Sequence, residues 1–349
     1  MFVGREESSM PTIRDVAKRA GVATMTVSRV INDSGYVSDA TRAKVEAAII
    51  ELDYVPNMLG PSLRFNQTKT LALVITDITN PFWTTVARGV EDAAHEDAYS
   101  VILCNTDESL EKQEQYVEML LKRRIDGLLF VPADDSPQSV ELIRSQNVTV
   151  VVLDREIPGV ENLDIVRGDS FGGAYDLALH LVELGHKNIA ILSGSKHIST
   201  SVERVAGFRQ AMHETGLEQN LENVYWGEFS QSVGFDMAKR ALETTPRPTA
   251  LLAVNNFIAN GALQAVASAG LRIPEDMSIV SFDDIPENIN PTPFLTVAVQ
   301  AAYDMGYQAT KLLLARLADE GPQECQEIIL PTRIVIRSST APPPIFEQM

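Results

Sequence analysis

A chain of 349 residues with 45% hydrophobic and 22% charged side chains is too long for one small domain and apolar enough to bury a sizeable core. No apolar run approaches the ~18 residues needed to cross a bilayer, and no secretory leader precedes the first helical pattern, so the sequence predicts a cytoplasmic protein without membrane contact. The formal net charge of −18 excludes a surface that is attractive to nucleic acid throughout, so the distribution of charge matters more than its sum.

The first element is residues 12–31, TIRDVAKRAGVATMTVSRVI. Thr12 caps a helix start and Asp15 follows three residues on, the spacing of a capping box. Ile13, Val16, Ala17 and Ala20 share one face. Gly21 supplies a turn, because glycine accepts backbone angles that other residues resist. Val27, Val30 and Ile31 then mark the apolar side of a second short helix, whose other side presents Thr24, Met25, Ser28 and Arg29. A third helical pattern from Ser38 carries Val45, Ala48, Ile49 and Leu52, enough to bury the first two. The spacing fits a helix-turn-helix for the DNA major groove, with a plain three-helix bundle as the alternative. Residues 10–69 hold eight Lys and Arg against six Asp and Glu, a local +2, and residues 1–9 contribute −1, which leaves −19 for residues 70–349. Phosphate attraction is local and screened over ~8 Å at physiological salt. The acidic remainder therefore weakens non-specific binding without forbidding specific contacts, and two heads must act together.

From Leu71 the pattern changes to short apolar runs alternating with helices. Leu71–Thr76, Val101–Asn105, Gly127–Val131 and Thr149–Leu153 read as strands, separated by helices such as Phe82–Asp97 and Leu110–Arg124. A second series follows at Ile189–Ser193, Ala250–Val254 and Ser278–Phe282, with helices near 170–185, 201–215, 230–243 and 257–269. Near-continuous apolar strands in this alternation predict parallel sheets covered on both faces. The glycine-rich stretch from Gly168 to Gly173 lacks the lysine and spacing of a phosphate loop. Cys104, in a strand, reads as a small buried hydrophobe, and with Cys325 it forms no metal or disulfide pattern. His95, His180, His186, His197 and His213 show no metal-ligand spacing, and no Gly-x-Ser-x-Gly elbow is present. No enzyme, cofactor or metal site is expected.

Where strands run out, the sequence concentrates aromatic and planar polar residues: Asn80, Phe82 and Trp83 after the first strand, Asp154 and Arg155 after the fourth, then Arg204, Phe229, Asn255, Asp283 and Gln300. Aromatic faces suit the C–H surface of a sugar ring, and carboxylates, amides and guanidinium groups suit its hydroxyls. Individually each has a plain structural alternative: a helix cap for Asp283, a surface ion pair for Arg204, core filling for the aromatics.

The stretch TIRDVAKRAGVATMTVSRVIN, with Tyr54-Val55-Pro56-Asn57 after it, resembles the N-terminus of the lac-repressor (LacI/GalR) family of bacterial transcription regulators, and the similarity runs to Arg337. Family members start near the equivalent of Met10, so residues 1–9 read as a tail. The resemblance implies an all-α helix-turn-helix DNA-binding head at 10–55 and a hinge at 56–68. It further implies an α/β periplasmic-binding-protein-like core at 69–349 with two Rossmann-like subdomains, 69–166 with 300–327 and 167–299 with 328–340. Three crossovers join them, Gln300 lies on the third, and the ligand cleft lies between.

On the family pattern, Thr24, Met25 and Arg29 contact base edges, and a guanidinium can bond guanine O6 and N7 together. Thr12, Ser28, Asn32, Tyr36, Ser38 and Thr41 match phosphate-contact positions, which orient without specifying sequence. Ala23 stands where relatives have a capping serine, a loss of roughly 1 kcal/mol. Leu63 matches a leucine that wedges into the minor groove and Arg64 the basic residue after it. Gly60-Pro61, however, sits inside that hinge helix, where proline costs ~3 kcal/mol.

The cleft residues jointly resemble the binding set of ribose-type repressors and periplasmic ribose-binding proteins, with Trp83 for a phenylalanine and Asn256 for an aspartate. Purine-responsive relatives use the same positions for an aromatic sandwich, and Arg155 favours a sugar. The expectation is a homodimeric repressor of sugar-metabolism genes on near-palindromic operator DNA, controlled by a small-molecule effector, a ribose-like sugar. A purine-responsive regulator of the same family and a free sugar-binding receptor are the alternatives.

Overall fold

The computed structural model describes residues 10–55, 67–284 and 292–344. The chain divides into two compact units, Met1–Thr68 and Lys69–Met349.

In the first unit, α1 (Ile13–Ala20), α2 (Thr24–Ile31) and α3 (Asp39–Glu51) close around Val16, Ala17, Val27, Val30, Val45 and Ala48. The Asp15 carboxylate accepts from the Thr12 backbone N–H at 2.8 Å and its hydroxyl at 2.7 Å, which fixes the start of α1. Gly21 ends that helix at φ 68°, the left-handed conformation the turn requires. Ala23 occupies the N-cap of α2 without a side-chain hydrogen bond, whereas Ser38 caps α3 by accepting from the Thr41 N–H.

The second unit runs β1 (Thr70–Ile75), α4 (Pro81–Glu96), β2 (Ser100–Asn105), α5 (Leu110–Lys122), β3 (Gly127–Phe130), α6 (Gln138–Ser145), β4 (Thr149–Leu153) and β5 (Asp164–Gly168). It continues with α7 (Ser170–Glu183), β6 (Ile189–Ser193), α8 (Ser199–Glu214), β7 (Val224–Trp226), α9 (Gln231–Leu242), β8 (Ala250–Ala253), α10 (Asn256–Ser268), β9 (Ser278–Phe282) and β10 (Thr296–Val299). Last come α11 (Ala302–Leu317), β11 (Glu327–Leu330) and β12 (Arg333–Val335).

These strands form two six-stranded sheets, β11-β5-β4-β3-β1-β2 and β12-β10-β9-β8-β6-β7. All pairs are parallel except β10 with β12. Their inner strands are largely apolar (Leu71 to Ile75 and Ile189 to Leu192 are solvent-free) because helices cover both faces. Helices α4 and α11 approach so closely that a Cβ on Gly89 would stand 2.1 Å from the Tyr303 carbonyl, and one on Gly306 2.1 Å from that of Val86.

The first sheet extends to Gly168 and to Leu330, beyond the sequence-based boundaries at 166 and 327, because β5 and β11 pair in register over Glu327–Leu330. The chain crosses between sheets three times, and Gln300 lies on the second crossing, between β10 and α11, rather than on the third. The reason is that β11 returns to the first sheet before β12 joins the second.

Candidate functional site

On the head, α2 turns Val27 and Val30 inward, so Thr24, Met25 and Arg29 are exposed, Met25 by 59%. Tyr36 is 90% exposed, and Thr12 and Ser38 are exposed as well. Ser28 and Asn32 are half-buried and joined, since the Asn32 amide donates to the Ser28 carbonyl at 2.8 Å and its hydroxyl at 3.2 Å. The Ser38 and Thr41 hydroxyls lie 2.9 Å apart at the start of α3. Five of the six expected phosphate-contact side chains, all but Tyr36, thus also take part in hydrogen bonds at a helix end. Leu63, Arg64 and the Gly60-Pro61 hinge lie outside the described residues.

In the core, all ten side chains expected at the effector site line one cleft, whose cavity volume is about 50 Å³. Asn80 caps α4, accepting from the Phe82 N–H at 3.1 Å, with Pro81 in the first turn where no N–H is needed. Asn255 caps α10, accepting from the Ile258 N–H at 2.8 Å. Asp154 and Asp283 end β4 and β9 in left-handed conformations, φ 64° and 61°, a backbone cost often met at ligand sites. Arg204 is no surface ion pair. It is 3% exposed, lies 4.0 Å over the Phe282 ring, and donates to the Val254 carbonyl at 2.6 Å and the Ser170 hydroxyl at 3.3 Å. Phe82 and Trp83 meet edge to face at 75°.

Charge in the cleft is dense and buried. Burial raises the Asp154 pKa against the pull of Arg204 and Arg155, and raises that of Asp283 to about 6 against Arg204 and the Gln300 amide, which donates to it at 2.8 Å. Burial likewise lowers the Arg204 pKa, opposed by Asp283 and Asp154. Three buried polar atoms of the cleft have no hydrogen-bond partner among the described residues: the Thr76 hydroxyl, the Arg155 Nε and the Gln300 Oε1.

Sequence reasoning missed Thr76, Asp77, Glu108, Thr200 and Phe257, which also line the cleft. Thr76 and Asp77 directly follow β1, a strand-end signal that was available. Glu108 gave none: it reaches Arg155 through bidentate hydrogen bonds of 2.6 and 2.7 Å across 47 residues of sequence. Asn256 is buried and donates to the Asn80 Oδ1 at 2.9 Å, which ties α10 to the start of α4. Because that oxygen already caps α4, its partner must be a donor, a role an aspartate lacks.

His186 is buried and its two ring nitrogens meet Thr249, Ser278 and the Ala341 carbonyl, with burial lowering its pKa. Cys104 is buried, and burial raises its thiol pKa.

Comparison with known proteins agrees with this architecture. Residues 12–57 match the model of bacterial regulatory proteins of the lacI family, and residues 178–340 match a periplasmic binding protein-like domain. A Haemophilus influenzae (strain PittEE) protein named HTH-type transcriptional repressor PurR is 38% identical over 333 residues, covering 95% of this chain and 98% of the relative. A LacI family transcriptional regulator from Enterococcus faecium, solved with bound ribose, is 31% identical over 78% of this chain and 99% of its own, with a TM-score of 0.69. The lac repressor dimer bound to operator and the anti-inducer ONPF is 27% identical over 95% of this chain and 100% of its own, with a TM-score of 0.83. The chain belongs to the lacI family of bacterial regulatory proteins and is a DNA-binding transcriptional repressor, not an enzyme.

Proposed function

We propose that the effector of this repressor is a ribose-like sugar bound in the cleft between the two sheets. The observation that carries this reading is the set of unpartnered buried atoms: a hydroxyl on Thr76, an N–H on Arg155 and a carbonyl on Gln300. A buried polar group without a partner costs ~1–3 kcal/mol, and sugar hydroxyls, which both donate and accept, satisfy such a mixed set. Asp154, Arg155, Asn255 and Asp283 add planar polar groups, while Phe82, Trp83 and Phe229 offer apolar faces to the ring. The protein acts in the cytoplasm as a homodimer. Its two heads read a near-palindromic operator through Thr24, Met25 and Arg29, and Thr12, Ser28, Asn32, Tyr36, Ser38 and Thr41 hold the phosphates. Ligand shifts the operator-binding equilibrium by binding the two subdomain arrangements with different affinity.

The relatives named PurR favour a second reading, a purine-base effector of the kind expected for purine-responsive members of the family. A flat base calls for parallel aromatic walls, whereas Phe82 and Trp83 meet at 75° and Arg155 brings charge to the cleft. A thermal-shift panel of ribose, other pentoses, hexoses, hypoxanthine and guanine separates the two. At ~100 times its dissociation constant a ligand adds about 2.7 kcal/mol, a rise of several degrees. A rise with a pentose is the expected result, and a rise with a base alone overturns the sugar.

A further inference from the structure

One hydrogen bond joins the two subdomains deep in the protein and away from the chain crossings. Asn80 leads into α4 after β1 of the first sheet, and Asn256 begins α10 after β8 of the second. The Asn256 Nδ2 donates to the Asn80 Oδ1 at 2.9 Å, across 176 residues of sequence, and both side chains are buried. The other side-chain hydrogen bonds and ion pairs between the subdomains, among the described residues, have different settings. His197 meets Asp135 at 3.4 Å in solvent, and the Ser199 hydroxyl accepts from the Glu156 N–H at 2.8 Å in a half-buried place. Arg167 meets Glu203 at the end of β5, where the chain crosses, and Gln300, which donates to Asp283, lies on a crossing itself.

The polarity of this bond is fixed by its surroundings. The Asn80 Oδ1 also accepts from the Phe82 N–H at 3.1 Å, so the Asn80 amide cannot turn over without uncapping α4, and the group facing that oxygen must donate. Asn256 leaves its own Oδ1 buried without a partner among the described residues. An unpaired buried acceptor is destabilising, so what the amide contributes at this position is its N–H donor. We propose that Asn256 is a latch: by donating to Asn80 across the cleft it holds the two subdomains closed and positions Asn80, Phe82 and Trp83 against the effector. Opening the cleft breaks the bond, so the latch sets the balance of open and closed arrangements on which effector affinity depends. It rests on the reading that the effector binds between closing subdomains, and not on the effector being a sugar.

Trp83, 4% exposed in the cleft, reports opening without any ligand, and Trp226→Phe leaves it as the one tryptophan of the chain. Acrylamide quenching of Trp83 is measured in this full-length background, with far-UV circular dichroism to confirm the fold. Asn256→Asp removes the donor and sets a carboxylate against an oxygen, and the quenching constant rises by about threefold or more. Asn256→Ala removes the donor without adding charge, moves quenching the same way, and keeps the test decisive where the carboxylate disturbs folding. Asn80→Asp makes the same exchange of amide for carboxylate at the accepting end, beside a helix N-terminus that favours it, and leaves Trp83 shielded. Opposite outcomes from one chemical change at the two ends are what a latch of this polarity requires and a packing role does not. In isothermal titration, D-ribose affinity falls about tenfold in Asn256→Asp, because the closed arrangement becomes rarer by that factor. Unchanged quenching in both Asn256 variants overturns the latch, as does equal opening by Asn80→Asp or a rise in quenching with ribose affinity unaltered. Quenching that responds as expected in a protein that binds no ribose keeps the latch and overturns the sugar reading alone.

Discussion

The head and the core put their proposed functional side chains in opposite physical settings. On the head, Arg29, Met25 and Tyr36 project into solvent from a small core of six buried residues, and nothing in the fold of the head depends on them. In the core, Arg204, Arg155, Asp154 and Asp283 are themselves buried and held by hydrogen bonds, ring contacts and each other. Base reading and stability are therefore separable on the head, whereas function and stability are entangled in the cleft. The head leaves its readers free to meet a partner, whereas the cleft is pre-organised and holds its charges at a continuing energetic cost.

Arg204→Ala tests the entanglement most severely. It removes the cation that pulls most strongly on the buried Asp154 and Asp283, and it vacates the face of Phe282. Breaking a buried charge arrangement in this way costs about 3–5 kcal/mol. The expected outcome is a lower melting temperature together with effector affinity weakened at least 100-fold, read by calorimetry. A variant that loses the effector with an unaltered melt shows that the cleft is as separable as the head.

Arg29→Ala is the counterpart on the head. With an exposed side chain, its removal leaves the melt within the usual ±0.5 kcal/mol of a surface change. Operator affinity falls by about 1–3 kcal/mol, and discrimination relaxes at one base position of each half-site. Fluorescence anisotropy against the operator and single-base variants reads both. A uniform loss across all sequences reassigns Arg29 to the phosphates.

Glu203 sharpens the comparison through pH. Three carboxylates, Glu156, Glu203 and Glu327, share Arg167 at 2.9, 3.1 and 2.7 Å. Burial, offset by Arg167 and reinforced by Glu156, with Arg204 and Asp154 also facing it, pushes the Glu203 pKa from 4.5 to about 7. A carboxyl raised in the folded state holds its proton more tightly there than in the unfolded chain. Its contribution is favourable below about pH 4.5 and is lost as pH rises to about 7. Glu203→Gln, which mimics the protonated form, is therefore more stable than the wild type above pH 7, and the advantage disappears toward pH 4.5. Denaturant melts at pH 5, 6, 7 and 8 measure this, and a difference independent of pH removes Glu203 as its source.

How much of this was legible in the sequence follows from the same contrast. The helix-turn-helix was readable because capping, turn and apolar period are all local, as in Thr12 with Asp15 and in Gly21. The long central strands announced themselves as apolar runs. The edge strands β7, β11 and β12, only three or four residues each, carry no period long enough to read, and helix α11 went unread although its buried face is apolar. All ten expected cleft residues share one cavity because strand ends are predictable places. Glu108 was invisible because its meaning depends on Arg155, 47 residues away and on a different loop.

The gentlest change sits where the head departs from its family. Ala23 precedes the first turn of α2 in an extended conformation, φ −72° and ψ 150°, suited to a capping residue but without an oxygen to accept from the helix N–H groups. Ala23→Ser introduces that acceptor without moving the backbone. The expected gain is about 1 kcal/mol in the unfolding of the head, followed by calorimetry of the full-length protein. Because Thr24 and Met25 occupy the turn being capped, operator affinity should rise with it, by up to about fivefold. If the head is stabilised and operator affinity stays fixed, DNA itself orders this turn on binding. In that case the missing serine costs stability only in the free state, and the head's separation of reading from folding extends to its first helical turn.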